Sequence, residues 1–306
     1  MRTDLYPPLE PFAVQQLPVG GGHCIHVEQS GNPEGFPAIF LHGGPGSRTR
    51  PLHRQFFDPR FYRIVLFDQR GCGRSTPPGC TAENTTGHLV EDIEALRRRL
   101  GLERVMLFGG SWGATLALAY AAAHPCRVAA MVLRGVFLGT RAEVDQYLEG
   151  LRIAEGGDPL ARYHALVNQP DEAAARAAAQ RWVGYEEAAM SLDTGKPGEG
   201  AAQDPAAALA RARVQLHYLA HDCFLVPGEL IARLEGLAEI PVLIVQGSRD
   251  RICPPAAAVE LAARLPRAEL RLVDGGGHSA TEPAMARALR HATDDLRGRL
   301  QGAGAR

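Results

Sequence analysis

Three residue types that together can hydrolyse an amide or ester stand in three separate glycine-bearing segments. Ser111 is the centre of Gly109-Gly110-Ser111-Trp112-Gly113, Asp250 closes Gly247-Ser248-Arg249-Asp250, and His278 closes Asp274-Gly275-Gly276-Gly277-His278. A serine hydroxyl is a weak nucleophile until a base takes its proton. Imidazole is the side chain suited to that task near neutral pH. A carboxylate beside it holds the right tautomer and stabilises the cation that forms. Alternatives exist for each position. Asp250 could simply cap the segment after it, leaving Asp274 or Asp222 as the acid. His278 is one of 11 histidines, but its glycine flank gives it a mobility and exposure that a core histidine would lack; His42 and His124 read as structural or surface residues.

The elements around Ser111 are those a nucleophile elbow requires. Val105-Met106-Leu107-Phe108 reads as a buried strand, and Ala114 to Ala123 is a run of strong helix formers. The sharp turn between them imposes backbone angles at which a Cβ would clash, hence the glycines on both sides. The hydroxyl would then stand near the positive end of the following helix.

Other strands lead into the remaining loops. Cys24 to Gln29 alternates as an antiparallel, half-buried strand, and Ser30-Gly31-Asn32-Pro33 is turn chemistry. Ala38-Ile39-Phe40-Leu41 is a buried strand that ends in His42-Gly43-Gly44-Pro45-Gly46. Such a loop is either a plain tight turn or a source of backbone N–H groups for an oxyanion hole. In the second case Gly44 and Trp112 would supply the two donors. Tyr62 to Phe67 is the next strand. The loop after it, Asp68-Gln69-Arg70-Gly71-Cys72-Gly73-Arg74-Ser75, lacks the Gly-Lys-Ser/Thr ending of a phosphate cradle and reads as a brace for the site. His88 to Leu100 has an apolar face of Leu89, Ile93, Leu96 and Leu100, with Glu91, Asp92, Arg97 and Arg98 mostly elsewhere. Val128 to Leu133, Pro241 to Gln246 and Ala268 to Val273 are further strands, and Pro283 to Leu300 is a closing helix.

This alternation predicts an α/β fold with a mostly parallel central sheet and helices on both faces. The order Ser, Asp, His is the one expected of an α/β-hydrolase fold. From Thr140 to Leu230 no buried strand is visible. Asp171 to Gln180 and Pro205 to Arg213 read as helices, broken by Gly156-Gly157-Asp158-Pro159 and by a polar loop from Ser191 to Asp204. The expected organisation is therefore a core in two parts, 1–139 and 231–306, with a helical cap inserted at 140–230. The cap would cover the carboxyl ends of the strands, where sites of such folds lie; an extra helical layer is the plainer option.

Composition excludes other classes. The chain has 306 residues, 45% hydrophobic and 22% charged, with a formal net charge of −1, so neither a nucleic acid nor an anionic membrane is an expected partner. The six cysteines show no CxxC pair and no HExxH occurs, which argues against a metal site and against a disulfide framework. No apolar h-region opens the chain and no run is long enough to span a bilayer. The expectation is a cytoplasmic protein without cofactor. Nothing in the sequence speaks to oligomeric state.

Taken together, His42-Gly43-Gly44-Pro45-Gly46, Asp68 to Pro77, Gly109 to Gly113 and Gly277-His278-Ser279-Ala280 resemble the prolyl aminopeptidase (proline iminopeptidase) family of α/β-hydrolases. Asn84-Thr85-Thr86 and Leu133-Arg134-Gly135 resemble it too. The resemblance implies a serine peptidase that frees N-terminal proline from small peptides, with neither metal nor cofactor. It puts Ser111, Asp250 and His278 on the triad positions, and Gly44 and Trp112 on the oxyanion positions. It also implies a role for the cap. Trp182-Val183-Gly184-Tyr185-Glu186 is similar to the family's Trp-x-x-Trp-Glu segment, so that Glu186 would grip the free α-amine, although Glu187 competes. A second family glutamate falls on Gln215, in Arg213-Val214-Gln215-Leu216-His217-Tyr218. An uncharged residue there implies weaker recognition of a cationic N-terminus and a broader substrate range. Phe137 is a candidate wall for the pyrrolidine ring, or ordinary core. A carboxylesterase or amidase without a free-amine requirement is the alternative among hydrolases; a catalytically dead hydrolase fold used for binding is the alternative of a different class.

Overall fold

The computed structural model describes residues 5–191 and 204–303. Eight strands form one sheet: β1 (Ala13–Gly20), β2 (His23–Gly31), β3 (Phe36–Leu41), β4 (Tyr62–Phe67), β5 (Val105–Gly110), β6 (Val128–Arg134), β7 (Val242–Gly247) and β8 (Ala268–Val273). Their spatial order is β1-β2-β4-β3-β5-β6-β7-β8. Strand β2 runs antiparallel to β1 and β4, and every pairing from β4 to β8 is parallel.

Helices cover both faces. Alternate residues of the parallel strands enter two separate cores. Ile39, Leu107, Met131 and Ile244 join one with α1 (Thr86–Arg99), α2 (Trp112–Ala123) and α8 (Pro255–Arg264). Phe40, Phe108, Val132 and Leu243 join the other with Leu289 and Leu296 of α9 (Pro283–Ala303). Two buried faces explain why these strands read as unbroken apolar runs. Fully burying each such side chain contributes about 1.5–3 kcal/mol.

Among the described residues, five α-helices lie in sequence between β6 and β7: α3 (Arg141–Glu155), α4 (Pro159–Val167), α5 (Glu172–Ser191), α6 (Pro205–Ala220) and α7 (Glu229–Ala232). Helices α4, α5 and α6 pack against one another. Thr140 and Glu143 cap the start of α3 reciprocally, and Gly156, at φ 70°, ends it. Helices α5 and α6 extend well beyond the segments expected from composition. Ser191 is helical and Asp204 is the N-cap of α6, whereas the rest of the anticipated polar loop, 192–203, lies outside the described residues. Among the described residues no helix is long and apolar enough to cross a membrane.

Strand β1 and helices α3, α4, α7 and α8 have no counterpart by residue range in the sequence reading. Strand β1 carries Pro18 and a register shift after it, features tolerated because it is an edge strand. Helix α8 is short and begins without a side-chain cap. One face is also misread. Asp92 of α1 is buried, where its carboxylate takes Nε and Nη2 of Arg70 at 2.6 and 2.7 Å.

Candidate active site

Ser111 occupies the turn between β5 and α2 at φ 56°, ψ −126°, a conformation that side chains other than glycine's reach only at a cost of about 1–3 kcal/mol. The neighbours make it possible. A Cβ on Gly109 would overlap the Gly113 carbonyl, and one on Gly113 would overlap the Leu41 carbonyl of β3. The Ser111 N–H donates to the Arg134 carbonyl of β6 at 2.8 Å, which holds the turn against the sheet.

His278 and Asp250 meet as a buried pair, so His278 lacks the exposure that its glycine flank suggests. Nδ1 of His278 lies 2.8 Å from Oδ2 and 3.1 Å from Oδ1 of Asp250. Burial pushes the Asp250 carboxyl up, but His278, the Cys253 N–H and Arg134 outweigh it and hold the carboxyl below the usual carboxylate range. The Ile252 and Cys253 N–H groups donate to Oδ1 at 3.0 and 2.8 Å, and Gln246 Nε2 donates to Oδ2 at 3.2 Å. The two competing acids, Asp222 and Asp274, are exposed. Among the described residues Ser111 Oγ makes no hydrogen bond to His278. Its polar neighbour is Cys253 Sγ at 3.9 Å, a buried thiol that burial pushes well above its ordinary range.

Ser111 and His278 open into one cavity, which Gly44, Phe137, Glu186, Gln215 and Cys253 also line. Trp112 is buried beneath it. Its N–H is the first of α2, one of the helix-start donors with no partner inside the helix. Its indole Nε1 donates to Gln69 Oε1 at 3.0 Å. Gln69 in turn donates to His42 Nε2 from its N–H, at 3.0 Å, and to the His42 carbonyl from Nε2, at 2.9 Å. The loop after β4 is thus bonded both to the elbow and to the glycine loop after β3. No group of three or more His, Cys, Asp or Glu among the described residues is arranged to hold a metal ion.

A family model described as the alpha/beta hydrolase fold matches residues 37–283. A proline iminopeptidase of Arabidopsis thaliana is 41% identical over 314 residues, covering 97% of this chain and 83% of its own length. One from Xylella fastidiosa (strain 9a5c) is 42% identical over 313 residues, 97% of this chain and 100% of its own length. The chain belongs to the proline iminopeptidase family. The crystal structure of a proline iminopeptidase-related protein from Thermus thermophilus superposes with a TM-score of 0.60 at 26% identity, covering 93% of this chain and 96% of that one.

In this proline iminopeptidase family member, the cavity also carries features that motif reading does not reveal. Glu186 Oε2 accepts from Arg211 Nη2 at 2.7 Å, both side chains being 12% exposed. Gln215 Oε1 accepts from Trp182 Nε1 at 2.8 Å. Glu143 lines the cavity, but its carboxylate is taken up by the N–H groups of Leu138 and Thr140 and by the Thr140 hydroxyl. Tyr147 lines it too, its buried hydroxyl without a hydrogen-bond partner among the described residues. Arg134 is half-buried and donates from Nη1 to the His278 carbonyl at 2.5 Å. Two signals were present in the sequence. Arg134 is the lone charge ending an apolar strand, and Arg211 lies four residues before Gln215, on the same helix face.

Proposed function

We propose that this protein is a serine exopeptidase that releases N-terminal proline from small peptides through an acyl-enzyme. The observation that carries the reading is the hydrogen-bonded His278–Asp250 pair opening into the same cavity as a serine held at an elbow. The proline iminopeptidases among its relatives supply the substrate class.

Ser111 Oγ attacks the prolyl carbonyl carbon while His278 takes the hydroxyl proton. Asp250 fixes the imidazole through Nδ1, leaving Nε2 for the serine. The negative charge on the carbonyl oxygen is received by the N–H groups of Gly44 and Trp112; each such donor is worth on the order of 10²–10³ in rate. His278 then gives its proton to the departing amine, the C–N bond breaks, and a prolyl ester of Ser111 remains. Water, deprotonated by His278, cleaves that ester and regenerates the serine. The Ser111–His278 bond, open in the free protein, closes as substrate fills the cavity, a common behaviour of apo sites. In this reading 140–230 is a cap on a core made of 1–139 and 231–306. Glu186 then faces the substrate amine and Phe137 the ring.

A second reading, an esterase or amidase indifferent to a free amine, is favoured by one observation: Glu186 is already paired with Arg211. The test uses prolyl naphthylamide with wild type and Ser111→Ala, together with mass spectrometry of acid-quenched enzyme. Ser111-dependent release of proline and a prolyl adduct on the Ser111 peptide are expected. Turnover that survives Ser111→Ala sinks the mechanism, and cleavage of N-acetylprolyl naphthylamide alone moves the protein to the second reading.

A further inference from the structure

The polar groups around Glu186 do not match a cation. An ammonium carries only donors, so it needs acceptors with unspent charge. Two carboxylates line the cavity: Glu143 is taken up by the Leu138 and Thr140 groups, and Arg211 already donates to Glu186 at 2.7 Å. The Glu186 and Arg211 side chains are largely shielded from water, so solvent does little to screen the guanidinium from a second cation nearby. Gln215 adds to the mismatch. The Trp182 indole N–H can only donate, so the Gln215 atom facing it at 2.8 Å is the oxygen. The amide NH₂ is turned away from Trp182, and among the described residues it has no hydrogen-bond partner. The Tyr147 hydroxyl, buried on the cavity wall and without a partner among the described residues, can donate as well as accept.

We propose that Arg211 is a specificity-determining residue: by pairing with Glu186 beside the donor amide of Gln215, it opens the acyl pocket to small cyclic acyl groups that carry no positive charge. This rests on the reading of Ser111 as nucleophile and of its cavity as the acyl site. The substrate class is a five-membered ring acyl group whose position next to the scissile carbonyl is uncharged, either carbocyclic or N-acylated. In the N-acylated case the added carbonyl accepts from Gln215 or Tyr147. Prolyl groups still bind, with a reduced advantage.

The test compares the full-length protein with Arg211→Met on two nitrophenyl esters that differ in one atom, prolyl and cyclopentanecarbonyl, with Ser111→Ala as the blank. Wild type is expected to take both with kcat/KM values within about tenfold of each other, a difference of one ordinary interaction. Arg211→Met is expected to raise the prolyl-to-cyclopentanecarbonyl ratio about tenfold, through KM for the prolyl ester. Gln215→Glu should move it the same way. If thermal unfolding shows that the methionine variant is not folded, Arg211→Gln, which can still donate to Glu186, carries the comparison. A wild type that refuses the uncharged ring, or a ratio that is unchanged or lowered by the Arg211 variants, overturns the assignment and leaves the exopeptidase reading intact. Ser111-dependent turnover of the carbocyclic ester without the prolyl one overturns the exopeptidase reading and leaves the Arg211 assignment standing.

Discussion

Arg134 holds Ser111 and His278 from its two ends: its carbonyl accepts the Ser111 N–H at 2.8 Å, and its guanidinium donates to the His278 carbonyl at 2.5 Å. The same guanidinium helps to hold the Asp250 carboxyl down. Arg134→Met is therefore expected to lower kcat by about 10–100-fold with a smaller change in KM, because it loosens alignment rather than substrate binding. Arg134→Lys should recover part of the loss. Steady-state kinetics on a prolyl amide check this; a change confined to KM would contradict it.

Asp250→Asn keeps the shape of the pair but alters which tautomer of His278 is favoured. Turnover should fall by on the order of 10⁴-fold. Thermal unfolding should show the variant folded, because the Ile252 and Cys253 N–H groups can still donate to the amide oxygen.

Trp182→Phe removes the N–H that pins Gln215. The amide can then turn its oxygen to the cavity, so KM for prolyl amides should fall several-fold, the scale of one neutral hydrogen bond at about 1 kcal/mol. The lost indole volume and bond should cost about 1–3 kcal/mol of stability. Denaturant titration and Michaelis–Menten kinetics read the two effects separately.

Glu94 ties α1 to α2. Hydrogen bonds from Arg97, together with those from Arg98 and Tyr120, hold its carboxyl at about 2 against an ordinary 4.5, despite partial burial. A carboxyl depressed in the folded state stabilises fully above its unfolded value and loses that contribution as pH falls toward its folded value. The stability gap between wild type and Glu94→Gln should thus be largest near pH 6 and smaller by ~1 kcal/mol at pH 3.5. Urea unfolding at the two pH values measures it, and a gap that does not shrink would be contrary to this account.

Much of the frame could be read from the chain because each signal is local. The β5 run, the elbow glycines and the apolar α2 announce Ser111, and strands of the length and hydrophobicity of β4 and β8 are bounded by their own turns. Asp250 is separated from Asp222 and Asp274 by exposure and by its bond to His278, neither of which exists before the chain folds. The bonds of Glu186 and Gln215 join α5 to α6 across 25 residues for Glu186 and Arg211, and 33 for Trp182 and Gln215. Pattern reading assigns Glu186 a task from its own position; only the folded neighbour shows that its charge is shared. Asp92 was misplaced for the same reason, since its partner Arg70 comes from a loop that periodicity does not describe.

Gly46, at φ 88°, has the Arg211 carbonyl and the Gln215 N–H where a side chain would begin. Helix α6 therefore rests its backbone on the loop that carries Gly44. Its side chains can be exchanged with no need for the main chains to separate, whereas any residue at Gly46 other than glycine would wedge them apart. A lineage with this joint can drift in what it accepts one residue at a time, without redesigning the means by which bonds are broken.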